Sequence, residues 1–107
     1  MLIIAPHAVD KSSTHYESVI AYMREHGAPA IRAVYSSEYD CWLAVEGSHR
    51  LAAAEALGLT PEIIAVQWSD TIEHDLQDYD SPCVVEDLRG FLEDRRNIAS
   101  GDTRYEF

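Results

Sequence analysis

Apolar residues along the chain fall in short runs divided by glycine, proline and clusters of polar residues, which predicts brief strands alternating with amphipathic helices. Leu2-Ile3-Ile4, stopped by Pro6, reads as a first strand that opens into a polar loop from His7 to Ser13. A helix follows. Thr14 with Glu17 matches a capping box, and Tyr16, Val19, Ile20 and Met23 recur at i, i+3, i+4 and i+7, so one face buries while Glu17, Arg24 and Glu25 stay wet. Gly27 and Pro29 end it. Ala30 to Tyr35 and Cys41 to Val45 read as the strands of a hairpin turned at Ser36-Ser37-Glu38-Tyr39-Asp40, with Cys41, Leu43 and Val45 on one face. The second strand runs directly into Glu46-Gly47-Ser48-His49-Arg50 and then into the alanine-rich segment Leu51 to Leu57, a strong helix former closed by Gly58.

Beyond Thr60-Pro61, Ile63 to Trp68 predicts a further strand, and two acidic helices complete the pattern. The last has Ser81-Pro82 as N-cap and first-turn proline, and Val84, Val85, Leu88, Phe91 and Leu92 as its apolar stripe, with Gly90 weakening its middle. From Asn97 the periodicity fades. The expectation is a single α+β domain over residues 1–96, a small mixed sheet with packed helices, its core at residues 2–75 and its acidic helices at 70–96. Residues 97–107 are expected to form a flexible tail.

Composition adds limits. With 107 residues, 47% hydrophobic and 25% charged, the chain has ordinary globular usage and can build one core without disulfides or a structural metal. Cys41 and Cys83 fit no CxxC or zinc spacing, so a reducing compartment is the default expectation. Met1 to Ala5 is too short for a signal peptide and lacks its basic flank, and no apolar stretch approaches the roughly 18 residues of a membrane span. The chain therefore reads as cytoplasmic with no membrane contact. Eight Lys and Arg against 19 Asp and Glu leave a net charge of −11, which argues against direct binding of duplex DNA. From Asp70 to Asp94 nine acids face Arg89 alone, a segment that repels polyanions and would attract a basic protein partner.

The elbow Glu46-Gly47-Ser48-His49-Arg50 is where chemistry concentrates. A strand running into a helix leaves unpaired N–H groups and a partial positive charge at the helix start. Gly47 lets a ligand approach that backbone, and Arg50 can fork onto phosphate oxygens, so the segment has the parts of a phosphate site. The plainer alternative also holds: a strand-to-helix turn needs Gly and Ser for its own geometry, and Arg50 can pair with a neighbouring acid.

The run from the strand through Glu-Gly-Ser-His-Arg-Leu-Ala-Ala-Ala-Glu-Ala-Leu-Gly to the next strand closely resembles the signature of the ParB/sulfiredoxin superfamily, in which a Gly-x-x-Arg elbow precedes an alanine-rich helix. The resemblance extends over residues 2–75. It implies a ParB/sulfiredoxin-like fold whose elbow holds the phosphates of ATP or CTP with Mg²⁺, used for phosphoryl transfer, hydrolysis or a clamp switch. It further implies that Gly47, Ser48, His49 and Arg50 bind phosphate, with His49 and Arg50 as the charge-bearing contacts. Glu46 would orient Arg50, a ligand hydroxyl or Mg²⁺, or act as general base. His15 and Ser18, on the helix before the hairpin, take the places from which sulfiredoxins also contact nucleotide.

Departures narrow the branches. Sulfiredoxins carry their catalytic cysteine where this chain has Ser48, so sulfiredoxin chemistry is not expected. The second elbow arginine, the helix-turn-helix and the Asn-and-Glu box of partition proteins are not recognisable, nor is the second catalytic Glu of the free-serine kinases that the elbow also resembles. Among other residues, Glu73-His74-Asp75 reads as part of a solvated acidic helix rather than a metal trio. Lys11, the only lysine, reads as a surface residue, Trp42 and Trp68 as core or sheet-face residues, and Cys41 as buried. The expected function is nucleotide binding with phosphoryl transfer or hydrolysis. A non-catalytic interaction or switch module acting through its acidic surface is the alternative, and a nuclease ranks third.

Overall fold

Seven strands and four helices follow the order β1 (Leu2–Ile4), α1 (Thr14–His26), β2 (Ala30–Ser36), β3 (Cys41–Ala44), α2 (Ser48–Leu57), β4 (Glu62–Val66), β5 (Thr71–Ile72), β6 (Cys83–Val84), α3 (Arg89–Leu92), α4 (Arg95–Ala99) and β7 (Arg104–Glu106), with a 3₁₀ turn over Val85–Leu88. They are seen in a computed structural model that describes all residues, Met1–Phe107. Five strands form one mixed sheet in the order β4-β2-β3-β1-β7, and β5 and β6 form a separate ribbon. Neighbours β2 and β3 are the antiparallel hairpin, whereas β1 runs parallel to β3 and β4 parallel to β2. The class is α+β, as expected.

Side-chain alternation explains the layers. One face of the sheet presents Ile3, Ile31 and Ala44 to α1 and α2, which supply Tyr16, Met23, Leu51, Ala52, Ala53 and Ala54. The other presents Ile4, Val34, Cys41, Leu43 and Val45 to the chain after β4, which contributes Ile72, Val85, Leu88, Leu92 and Ile98. Cys41, Leu43 and Val45 thus share a face, and Tyr16 and Met23 are buried on α1 with Val19 and Ile20 beside them. Trp42 and Trp68 pack at the margins of the two cores, and the Arg89 guanidinium lies 4.0 Å from the Trp68 ring centre.

The second half differs from the pattern read along the chain. No helix forms over residues 70–80: the acids there would repel one another on a helix, with Ile72 and Leu76 too few to anchor it, and the segment pairs as β5 with β6 and loops between them. Ser81-Pro82 does not start a helix. Its hydroxyl accepts the His74 N–H at 3.0 Å, Cys83–Val84 is extended, and the apolar stripe is carried by the 3₁₀ turn and the single turn of α3, with Gly90 inside. At α1 the cap is Ser13 and not Thr14: its hydroxyl accepts the Tyr16 N–H at 3.1 Å.

The largest correction is at the C-terminus. Residues 97–107 are not a tail, because α4 runs on to Ala99 and β7 pairs antiparallel with β1, setting Tyr105 opposite Ile3 and burying it in the helix-side core. Without β7, β1 would be an open edge. No helix is long and apolar enough to cross a membrane.

Removal of the Tyr105 ring tests this arrangement. Tyr105→Ala is expected to cost about 3 kcal/mol in urea unfolding, the range for truncating a buried aromatic, where a residue in a free tail would cost less than about 0.5 kcal/mol.

Candidate functional site

The carboxyl ends of the parallel strands β1 and β3 lie side by side, and the loops leaving them, Pro6-His7 and Glu46-Gly47, form one wall of a cleft of about 510 Å³. Its other walls come from α1 (His15, Val19), β2 (Arg32), the start of α2 (Ser48, His49, Arg50) and the loop after β5 (Glu73 to Leu76). Gly47 takes a left-handed conformation, φ +81°, which swings the chain from strand into helix. A Cβ there would also stand 2.6 Å from the Ile31 Cδ1, so this position demands glycine on two counts.

No side chain caps α2. The first amide groups of the helix, at Ser48, His49 and Arg50, have no partner within it and face the cleft end of the helix axis. Ser48 is buried and its hydroxyl accepts the His7 N–H at 3.3 Å, which leaves its own proton to donate.

Glu46 is held between two arginines. Its Oε1 accepts from Arg32 Nη2 at 2.8 Å and its Oε2 lies 3.4 Å from Arg50 Nη2. Arg50 also donates to the Ala30 carbonyl at 2.8 Å, and Arg32 to the Glu73 carbonyl at 2.8 Å. The Arg32 hydrogen bond is the main cause that holds the Glu46 carboxyl below its ordinary range, against the opposing effect of burial, and the same bond raises Arg32. With both oxygens engaged and its basicity lowered, Glu46 acts as a positioning group for Arg50 and has poor standing as a general base.

His49 stands beside two further imidazoles. Its ring centre is 4.4 Å from that of His15 and 5.8 Å from that of His7. Burial first, then charge on His15 and His7, push its pKa below the ordinary value, so it is neutral near pH 7 and able to accept a proton.

Of the residues singled out in the sequence, Glu46, Gly47, Ser48, His49, Arg50 and His15 meet in the cleft. Ser18 lies in an adjoining groove of about 420 Å³, lined also by Tyr22, Met23 and Pro29, which shares Val19 and Arg50 with the cleft. Lys11 lies elsewhere, in a depression with Glu55 and Asp102. Glu73, His74 and Asp75, expected on a solvated helix, lie instead in a loop that lines the cleft, tied to Arg32 through the Glu73 carbonyl. His7 and Arg32 escaped notice. Arg32 carried a signal, a charged side chain on the same strand face as Val34 and Ser36, which calls for a carboxylate nearby. The cleft holds no set of three His, Cys, Asp or Glu placed to ligate a metal.

Compared with protein-family models, with curated proteins and with solved structures, the chain matches none.

Gly47→Ala is expected to destabilise the protein by about 2–3 kcal/mol through left-handed strain and the clash with Ile31, read by thermal or urea unfolding. Glu46→Gln should cost about 1–2 kcal/mol at pH 7, since a charge-assisted pair is replaced by a neutral one. The folded-state pKa of Glu46 is depressed from 4.5, so its stabilisation is complete above that value and is lost as pH falls through the folded pKa. The gap between wild type and Glu46→Gln should accordingly narrow on acidification from pH 6 to below pH 4.

Proposed function

We propose that the elbow cleft binds the phosphates of ATP or CTP, with Mg²⁺, and that the protein transfers or hydrolyses a phosphoryl group. The observation that carries this reading is the uncapped start of α2, opening with the Ser48 hydroxyl and Arg50 onto a cleft of about 510 Å³, within the range of ligand sites. The neighbouring groove, with Tyr22, Met23 and Pro29 on its walls and Arg50 in common, supports a nucleotide over a bare phosphate, because it offers apolar surface to a base. The elbow motif's resemblance to the ParB/sulfiredoxin type points to the same ligand.

Catalysis of phosphoryl transfer is mostly positioning and charge stabilisation. The amide groups of Ser48, His49 and Arg50 would bind equatorial oxygens. Arg50, whose bonds to Ala30 and Glu46 leave other N–H groups unused, would balance developing charge. His49, beside these amides on the cleft wall, would be a further contact to the phosphate oxygens. Mg²⁺ usually keeps waters and phosphate oxygens and takes one or two carboxylates from the protein. Glu73 and Asp75 in the loop after β5 are of the right chemistry and carry no ion pair, whereas Glu46 is taken by Arg32 and Arg50. The metal would neutralise phosphate charge.

The engagement of Glu46 favours one further reading, a nucleotide-gated switch that binds without turnover, since the elbow then lacks a free carboxylate base.

The test is calorimetry and thermal shift with ATP, CTP, GTP and UTP in the presence of Mg²⁺, on wild type and Arg50→Ala. One nucleotide is expected to raise the stability of wild type by about 2.7 kcal/mol at 100 times its Kd and to leave the variant unmoved. Release of phosphate separates enzyme from switch, and silence from all four nucleotides would overturn both.

A further inference from the structure

Four of the five histidines line the elbow cleft: His7 from the loop after β1, His15 from α1, His49 from α2 and His74 from the loop after β5. The fixed charges around them are Arg32 on β2, Arg50 on α2, Glu46 at the elbow, and Glu73 and Asp75 in the loop after β5. With the imidazoles neutral, two positive charges therefore face three negative ones, in a protein whose net charge is −11. The cleft then has donors for an anion and no net attraction for it.

His74 is tied to its own loop. Its Nδ1 accepts the Leu76 N–H at 3.1 Å, which puts the proton on Nε2, and that nitrogen lies 2.6 Å from the Asp80 carbonyl and 3.3 Å from the Cys83 Sγ. His7, His15 and His49 are packed ring to ring, His49 at the centre with the others 5.8 and 4.4 Å away. At such distances a proton on one ring opposes a proton on the next, and burial of His49 acts in the same sense. In the empty cluster, burial and the two neighbouring rings disfavour a proton on His49. An anion seated among the rings reverses the balance, since its charge favours every imidazolium it faces.

Resting on the elbow as a phosphate site, we propose that anion binding in this cleft is proton-coupled: His7, His15 and His49 take up protons as a phosphate-bearing anion enters. A histidine is charged below its pKa, and the bound anion raises that pKa, so uptake is greatest between the free and bound values. The site fills as pH falls from about 8 towards about 5.5 and empties as it rises, the range in which histidine titrates.

Sulfate is the probe of choice because it keeps its own charge throughout that range, so any proton taken up belongs to the protein. Calorimetry of the full chain in two buffers of different ionisation heat, from pH 5.5 to 8, is expected to report about one proton or more per sulfate, with Kd falling about tenfold per pH unit where one proton is taken up. Ring-proton NMR of the unmodified protein should show the titration midpoints of His15 and His49 rising by about one pH unit or more on saturation with sulfate. In the His7→Gln/His15→Gln/His49→Gln protein the pH dependence should be flat. A Kd for sulfate that does not change with pH, histidine midpoints that do not move, or a slope that survives in the triple variant would each overturn the proposal and leave the elbow reading standing. Failure of sulfate to bind even at pH 5.5 would overturn it too, and the nucleotide screen then decides whether the elbow reading falls with it.

Discussion

One carboxylate ties the cleft together. Glu46 accepts a hydrogen bond from Arg32 on one oxygen and forms an ion pair with Arg50 through the other, and each arginine also donates to a backbone carbonyl, of Glu73 and Ala30 respectively. Strand β2, the elbow, the first turn of α2 and the loop after β5 are thereby joined around a single pair of oxygens. Removing the carboxylate would leave two half-buried guanidinium groups without their anionic partner. The same clamp determines what Glu46 can do chemically. A carboxylate with both oxygens engaged and its pKa depressed is a poor proton acceptor, and its contribution is the orientation of Arg50.

Packing sets the other constraint. Ala52, Ala53 and Ala54 are fully buried, so α2 lies close against the sheet, and the approach leaves no room for a side chain at Gly47, where Ile31 fills the space. The left-handed turn and the close approach meet at one residue: the chain turns from β3 into α2 at Gly47, where the Ile31 side chain of β2 leaves no room for a Cβ. Ser48 follows at once, buried, with its hydroxyl spent on His7 and not on capping its own helix. The start of α2 is uncapped because Gly47, at the N-cap, has no side chain to turn back onto the first amides.

The first half of the chain was legible because its signals are local. The periodicity of Tyr16, Val19, Ile20 and Met23, the alternation of Cys41, Leu43 and Val45, and the glycines at residues 27, 47 and 58 each act within a few residues of themselves, and α1, β3 and α2 lie where they indicate. The strand expected at Ile63 to Trp68 is β4, but beyond it the pattern misleads, because the structure there is decided by partners distant in the chain. β5 needs β6 and β7 needs β1, at the far end of the sequence, and a three-residue strand such as Arg104–Glu106 has too little pattern to announce itself. Within the cleft, Glu46 to Arg50 stood out because five chemically informative residues are adjacent. His7, Arg32, Glu73 and Asp75 contribute one residue per element and become a group only once the sheet is formed.

Charge in the cleft is arranged unlike that of a basic binding groove. Both arginines are already answered by Glu46, and the exposed carboxylates of Glu73 and Asp75 line the same cleft, so its fixed charges sum to no net attraction for an anion. What remains acts at short range: amide donors at the start of α2, whose dipolar effect fades within a turn, the Ser48 proton, and imidazoles whose charge depends on what sits beside them. An anion held by such groups must be in contact to be felt at all. Recognition then follows shape and donor placement, and a flexible polyanion that merely passes by gains nothing from a surface of the same sign.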